Sequence, residues 1–198
     1  MMENYEIMGK LAALLTLFSN IPYIITIIGR TTSPNRATWL IWTMVGLIVF
    51  ASNDSLGATS TLWIPGAYVL TSCIIAILSF HYGEGGWNRF DLACIAIAAA
   101  SLVVWHFTTA LYALMMNIFI ELIALLPTLK KVYSRPYSEN LLAWMIGFSG
   151  TVLNLFAVNI WQLEIYLYPV WIFSGSACVN AFIILRRLRM KAINGGSL

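Results

Sequence analysis

The feature that most constrains the fold of this chain is a series of long apolar runs joined by short polar connections. Seven runs can be delimited, and they lie at about residues 10–29, 37–53, 60–81, 90–106, 108–129, 141–160 and 165–185. A helix that crosses the hydrocarbon core of a bilayer needs about 20 predominantly apolar residues. Each run is therefore long enough for one crossing. The sequence predicts an all-α membrane protein with seven transmembrane helices, which we number spans 1 to 7.

The composition of the chain indicates a lipid environment and excludes several other classes of protein. Hydrophobic residues make up 60% of the chain and charged residues 10%, whereas about 25% of the residues in average soluble domains are charged. The net charge of +3 is too small to indicate a nucleic-acid partner. Cys73, Cys94 and Cys178 all lie in apolar runs, so neither a disulfide framework nor a metal site is predicted. His81 and His106 lie at the ends of different spans and form no metal pair. The sequence also contains no nucleophile motif, so we expect the chain to have no cofactor and not to be an enzyme.

The basic residues indicate how the spans are oriented. Seven spans create eight extramembrane segments, and Lys10 is the one basic residue predicted on the side of the N-terminus. The opposite side receives the other ten, which are Arg30, Arg36, Arg89, Lys130, Lys131, Arg135, Arg186, Arg187, Arg189 and Lys191. Cytoplasmic loops carry the excess of Lys and Arg, so we expect an outside N-terminus and a cytoplasmic C-terminus. The first ten residues are acidic where a signal peptide would be basic, so span 1 is expected to be retained.

A repeat relates the first three spans to the last three. At an offset of 105 positions, the matching pairs are Pro22 and Pro127, Arg30 and Arg135, Ser33 and Ser138, Asn35 and Asn140, and Trp39 and Trp144. At an offset of 104 positions, the matching pairs are Pro65 and Pro169, and Ser72 and Ser176. Equivalent positions are four spans apart and cross the membrane in the same direction, which predicts parallel repeats. The predicted organisation is a first three-helix repeat at 1–89, a linker helix at 90–107, a second three-helix repeat at 108–189 and a flexible tail at 190–198.

This three-plus-one-plus-three arrangement, with Pro22 and Pro127 each followed by a polar loop and a Trp, resembles the SWEET and PQ-loop transporter superfamily. The PnuC-type vitamin transporters share the architecture. The resemblance implies a transporter that moves a small polar solute (a sugar, a nucleoside or vitamin, or an amino acid) by alternating access, as a facilitator or coupled to protons. Sugar-transporting members often have Asn after the prolines of spans 3 and 7, where this chain has Gly66 and Val170. The fold also includes a cargo receptor, so a membrane receptor or binding protein without transport is the alternative function.

Polar residues inside the predicted spans are the candidates for a solute site. Glu121 is a charged residue near the middle of span 5, and charges within a bilayer face the protein interior or a water-filled cavity. The candidate substrate-binding residues, several of which share a helix face by their spacing, are Thr16, Ser19, Asn20, Ser72, Asn117, Glu121, Asn154, Ser176 and Asn180. For the hydroxyl and amide side chains, hydrogen bonding between helices is an equal alternative. Glu121 could bind a cationic or hydrogen-bonding group of the solute, couple transport to a proton, or serve as a structural hydrogen-bonding group.

Aromatic residues and prolines are candidates for capping and gating. Trp63 and Trp171 flank the repeated prolines and could form an aromatic cap over the site, or they could belong to an interfacial aromatic belt. Proline removes a helical hydrogen bond and kinks a membrane helix. The candidate gating residues are therefore the four repeated prolines, Pro22, Pro65, Pro127 and Pro169, for which a static packing kink is the alternative.

The expected partners of the chain follow from the same observations. They are a small polar solute and the lipid bilayer, and a homo-oligomer is compatible with the small residues at 174–178. The short loops favour a multi-pass protein of a plasma membrane in a prokaryote.

Overall fold

The chain is all-helical wherever its structure is described. The computed structural model describes residues 2–31, 34, 36–83, 107–134, 136–137 and 141–195, together with 89, 92, 93, 96, 100 and 103, and no strand occurs in this part. Its α-helices are α1 (Met2–Ile28), α2 (Arg36–Ser55), α3 (Trp63–Tyr82), α4 (Ala110–Ser134), α5 (Leu141–Phe156) and α6 (Leu163–Gly195), and a 3-10 helix at Ser60–Leu62 leads into α3. The prediction of an all-α fold is confirmed for these residues.

The ends of the helices differ from those of the predicted spans. α1 begins at Met2 instead of residue 10, and α6 continues to Gly195. Residues 190–195, predicted to belong to a flexible tail, are thus part of α6. Arg, Leu, Met, Lys and Ala, which occur near the start of this segment, are strong helix formers. Residues 196–198 lie outside the described residues. Most of span 4, at 90–106, also lies outside them, and its described members are each helical.

The length and hydropathy of the helices are compatible with a membrane protein. Among the described residues, the helices long and apolar enough to cross a membrane are Glu3–Ile28, Ser60–Tyr82 and Leu163–Lys191, and the shorter apolar helices are Ala110–Leu122 and Leu141–Phe156. Large apolar side chains lie on the outside of the bundle, such as Ile25 at 62% exposed and Phe119 at 56% exposed. Such a surface suits contact with lipid rather than with water.

The helices pack as two groups of three with corresponding contacts. In the first group α3 packs against both α1 and α2, and in the second group α6 packs against both α4 and α5. The two groups meet where α1 packs against α5 and where α2 packs against α4. Exchanging α1, α2 and α3 for α4, α5 and α6 leaves these principal contacts unchanged.

An apolar core joins the two groups at the α2–α4 contact. Val45 and Val49 of α2 pack with Leu114 and Ile120 of α4 and with Tyr168 of α6, and all five are at most 5% exposed. These side chains lie on the inward faces of helices whose other faces carry exposed apolar residues. Burial against a neighbouring helix therefore determines the rotation of each helix about its axis.

Glycines permit the closest approaches of α1 to its neighbours. A Cβ atom at Gly9 would overlap the backbone carbonyl oxygen of Ser60, so only glycine fits where α1 meets the start of α3. At Gly150 of α5, a Cβ atom would lie 3.0 Å from the carbonyl oxygen of Ala12 in α1. Small residues at such positions allow membrane helices to approach closely.

Within each group, an arginine side chain of one helix forms hydrogen bonds with the end of another helix. Arg36, at the start of α2, donates from Nε to the carbonyl oxygen of Ser79 (3.0 Å) and from Nη2 to that of Gly83 (2.9 Å), at the end of α3. Arg186 of α6 donates to the carbonyl oxygen of Tyr133 at the end of α4 (3.1 and 2.8 Å), and its guanidinium carbon lies 4.0 Å from the centre of the Tyr133 ring. Arg186 and the Nη2 group of Arg36 thus bind carbonyl groups at or just beyond a helix C-terminus, whereas the Ser79 carbonyl oxygen also accepts from the Gly83 backbone N–H.

The direction of the helices gathers basic residues at one end of the bundle. α1 and α5 run antiparallel, because Gly150 lies beside Ala12 and Gly147 beside Ser19. The ends of α1, α3, α4 and α6 and the starts of α2 and α5 therefore lie at the same end, which we call the basic end. The basic residues described there include Arg30, Arg36, Arg186, Arg187, Arg189 and Lys191.

The prolines predicted to gate occupy different kinds of position. Pro22 lies inside α1 and Pro169 inside α6, where proline removes a helical hydrogen bond. Pro127 falls within the range of α4. Pro65 is the third residue of α3, where the backbone N–H has no partner within the helix, so proline there breaks no helical hydrogen bond. The gating role of all four stays a prediction.

Candidate functional site

The candidate site is a cavity of about 400 Å³ between the two groups of helices, which we call the central cavity. Each of the six α-helices contributes to its wall. The lining residues are Thr16, Ser19, Asn20, Trp42, Ile64, Tyr68, Glu121, Leu125, Ala143, Trp144, Gly147, Thr151, Tyr168, Trp171, Ile172, Gly175 and Ser176. Its volume is in the range of pockets that hold small organic molecules, which is about 300–1,000 Å³.

A carboxyl group with aromatic neighbours forms one wall of the central cavity. The indole Nε1 of Trp171 donates to Oε2 of Glu121 over 2.6 Å, which joins α6 to α4. Tyr168 of α6 and Tyr68 of α3 also lie close enough to this carboxyl group to interact with it electrostatically. Tyr168 and Trp171 reach the same carboxyl group because residues three apart share one face of a helix.

A polar face of α1 forms another part of the wall, and its hydroxyl donors are already bonded. Thr16 Oγ1 donates to the carbonyl oxygen of Ala12 (3.0 Å), and Ser19 Oγ donates to that of Thr16 (2.7 Å). Asn20 Nδ2 also donates to the Thr16 carbonyl oxygen, over 2.9 Å. These bonds occupy the hydroxyl protons and one amide proton. The oxygen lone pairs of the three side chains remain as hydrogen-bond acceptors.

The structure brings some of the predicted site residues together and leaves others elsewhere. The predicted residues that line the central cavity are Thr16, Ser19, Asn20, Glu121, Trp171 and Ser176. Trp63 is 43% exposed and instead lines a separate groove of about 660 Å³, near Lys10, whose Nζ lies 5.2 Å from the centre of the Trp63 ring. Of the two residues predicted to cap the site, Trp171 lines the central cavity and Trp63 does not.

The remaining predicted residues are buried in helix contacts and are not among the lining residues. Ser72 Oγ donates to the Val69 carbonyl oxygen and Asn117 Nδ2 to that of Ala113, each within its own helix. Asn180 Nδ2 donates to the carbonyl oxygen of Trp144 (3.2 Å) and thereby links α6 to α5. The bond of Asn180 is of the kind that the alternative interpretation predicted, a hydrogen bond between helices, whereas these bonds of Ser72 and Asn117 stay within one helix.

Asn154 differs from the other buried amides. Its side chain is fully buried in α5, and neither its nitrogen nor its oxygen has a hydrogen-bond partner within the described part of the chain. A buried amide without a partner costs about 1–3 kcal/mol of stability. We therefore expect the Asn154 amide to find hydrogen-bond partners in a different arrangement of the helices.

Several aromatic residues of the central cavity were not in the predicted set. Those aromatic lining residues are Trp42, Tyr68, Trp144 and Tyr168. The repeat offsets contain a signal for some of them, because cavity residues occur in pairs 104 or 105 positions apart. These pairs are Thr16 and Glu121, Asn20 and Leu125, Trp42 and Gly147, Ile64 and Tyr168, and Tyr68 and Ile172. Applying the offset to every predicted site residue and its neighbours would have pointed to this surface.

The donor groups of the site do not suggest a metal centre. No group of three or more His, Cys, Asp or Glu side chains that could hold a metal ion occurs among the described residues. Glu121 is the one carboxylate among the described lining residues of the central cavity. Comparison with known proteins adds no relative, since no family model, curated protein or solved structure matches the chain.

Proposed function

We propose that this chain is an integral membrane transporter that moves a small polar solute through the central cavity by alternating access. The observation that carries the proposal is the cavity itself, which lies between two groups of helices and is lined by all six α-helices. A carboxylate inside an apolar bundle is expensive to maintain and is usually functional. Glu121, held by Trp171, is such a group.

The packing of the helices supports a mechanism in which the two groups move against each other. The principal contacts correspond between α1–α3 and α4–α6, and residues that line the cavity recur at offsets of 104 and 105. A pair of parallel repeats around a central site is one of the arrangements in which rocking of one unit against the other exposes the site to alternate sides. In this proposal the chain has the three-plus-one-plus-three organisation of a SWEET-like transporter.

The distribution of charge supports an orientation in the membrane. Arg30, Arg36, Arg186, Arg187 and Arg189 lie at the basic end, whereas Lys10 lies toward the other end, beside Trp63. Because cytoplasmic segments carry the excess of Lys and Arg, the basic end faces the cytoplasm in our proposal. The membrane is then a plasma membrane, with the N-terminus outside.

Cysteine accessibility tests alternating access without knowledge of the solute. In a variant free of Cys73, Cys94 and Cys178, we would place a single cysteine by Ser19→Cys or Ser176→Cys, both in the cavity wall. Membrane-impermeant thiol reagents are then added from one side or the other of sealed vesicles. A transporter exposes each cysteine to both sides, whereas reaction from one side alone would favour a receptor or binding protein.

Control cysteines calibrate the same experiment. Glu3→Cys at the start of α1 and Arg189→Cys near the end of α6 replace exposed residues at opposite ends of the bundle. Each control is expected to react from one side only. Uptake of a labelled panel of neutral and charged polar solutes into proteoliposomes then tests transport directly, and accessibility from both sides without any uptake would contradict the proposal.

A further inference from the structure

We infer that the solute of the central cavity is a monovalent organic cation, an inference that rests on the proposed function because it concerns the same site. Its charge pairs with the Glu121 carboxylate, and its apolar part contacts the aromatic rings around it. Three properties of the cavity wall lead to this class of solute.

The first property is the charge of the wall. Glu121 lines the cavity, and none of the other described lining residues is a Lys, Arg or His that could neutralise it. A carboxylate removed from water is costly unless a positive charge pairs with it. The same wall disfavours anions and carboxylate-bearing zwitterions, since they would meet a like charge without a basic partner.

The second property is the aromatic content of the wall. Trp42, Tyr68, Trp144, Tyr168 and Trp171 all line the same cavity as Glu121. Aromatic faces attract cations, and cages of aromatic residues bind quaternary ammonium groups. Of the five, Trp171 hydrogen-bonds to the carboxyl group itself and Tyr168 lies close enough to interact with it, which places aromatic rings next to the negative charge.

The third property is a set of hydrogen-bond acceptors on the polar part of the wall. The hydroxyl protons of Thr16, Ser19 and Thr151 are donated to backbone carbonyl groups. The oxygens of these three side chains therefore remain able to accept hydrogen bonds from a ligand. Such acceptors suit a cation that also carries N–H or O–H donors.

A pair of isosteric probes tests the charge of the ligand on the wild-type protein. Choline and 3,3-dimethylbutan-1-ol have the same shape, but only choline carries a charge, and phenyltrimethylammonium adds an aromatic ring. Their dissociation constants are measured by calorimetry on the purified full-length chain. We expect choline to bind at least about thirtyfold more tightly than its neutral isostere, from a cation–π and ionic advantage in a desolvated site. Equal affinity of the two probes, or no binding of either cation, would overturn the inference.

Two variants assign the binding to the proposed wall. Glu121→Gln keeps the shape of the side chain and is expected to reduce the preference for choline by about tenfold or more, and Tyr68→Leu is expected to weaken both cations by about tenfold or more. Trp63→Leu, in the separate groove, is the control and is expected to leave the affinities unchanged. A preference for choline that is undiminished in Glu121→Gln would overturn the inference. The comparison of probes on the wild type remains decisive if a variant fails to fold.

Uptake measurements separate this inference from the proposed function. Proteoliposomes are incubated with labelled choline or with a labelled neutral solute from the uptake panel, and the label that enters them is measured. Binding of choline without uptake would retain the cation site and contradict transport. Uptake of a neutral solute that choline does not inhibit would retain transport and overturn the inference, and if that uptake required Glu121 the carboxylate would be assigned to proton transfer.

Discussion

The indole nitrogen of Trp171 lies 2.6 Å from Oε2 of Glu121, and this hydrogen bond connects the two helices that carry the polar wall of the central cavity. The bond orients the carboxyl group toward a cavity that residues of α1 line from the other group of helices. The pair of Trp171 and Glu121 could therefore stabilise the helix bundle, bind the solute, or do both. Thermal stability and ligand affinity can be measured separately to distinguish the two.

We expect Trp171→Phe to lower the stability of the protein by about 1 kcal/mol, in the range measured for hydrogen bonds within membranes. The substitution keeps an aromatic ring and removes the N–H donor. Thermal unfolding in detergent measures the change, and Trp63→Phe is the matched control because no hydrogen bond of the Trp63 side chain occurs among the described residues. Equal losses in the two variants would contradict a specific role for the bond to Glu121.

We expect Gly9→Ala to destabilise the protein by about 1–3 kcal/mol, the usual cost of overpacking. The new Cβ atom would overlap the carbonyl oxygen of Ser60, and backbone cannot move aside as a flexible side chain can. Gly147→Ala is the control, since its Cβ atom would meet Ser19 Oγ at 3.6 Å, an ordinary contact. A melting temperature of Gly9→Ala at or above that of Gly147→Ala would show that α1 and α3 do not approach as described.

Arg36→Lys is expected to lower stability even though it conserves the charge. Arg36 donates through two nitrogens to the carbonyl groups of Ser79 and Gly83, and a lysine ammonium cannot reproduce this forked geometry. We expect a loss of about 1–2 kcal/mol, measured by thermal unfolding. Arg189→Lys, at an exposed position, is the control and should change little. An equally small effect of both changes would contradict the bridging role of Arg36.

Asn154→Leu is expected to raise the melting temperature and to reduce transport. Replacing a buried amide that has no partner by an apolar group of similar size removes a desolvation cost. Asn117→Leu is the control and is expected to lower the melting temperature, because it removes the hydrogen bond that Asn117 Nδ2 donates to the Ala113 carbonyl oxygen over 2.7 Å. A lower melting temperature of Asn154→Leu would indicate that the amide is paired, and unchanged uptake would remove Asn154 from the transport cycle.

Reporter fusions test the proposed orientation. Green fluorescent protein attached after residue 198 is expected to fluoresce in a bacterial host, and alkaline phosphatase at the same place is expected to be inactive, because the basic end faces the cytoplasm. Removing the positive charges of Arg186, Arg187 and Arg189 together should weaken this preference. An active phosphatase fusion in the unaltered chain would contradict the orientation.

The sequence alone was sufficient to predict helices and to identify Glu121. Apolar runs determine where helices form, because backbone groups in lipid must bond within the helix. Glu121 was identified because a charge in an apolar run is rare, and Thr16, Ser19 and Asn20 were grouped because residues three and four apart share a helix face. All four line the central cavity.

Which helix faces meet in the cavity depends on packing between distant parts of the chain. Periodicity within one helix does not define how that helix is rotated against its neighbours. That rotation depends on contacts between distant residues, such as Gly9 with Ser60 and Gly150 with Ala12. For this reason Tyr68 and Tyr168, which the sequence did not distinguish from other aromatic residues, line the cavity, whereas Ser72 and Asn154, which looked equally suited to a solute, are buried away from it.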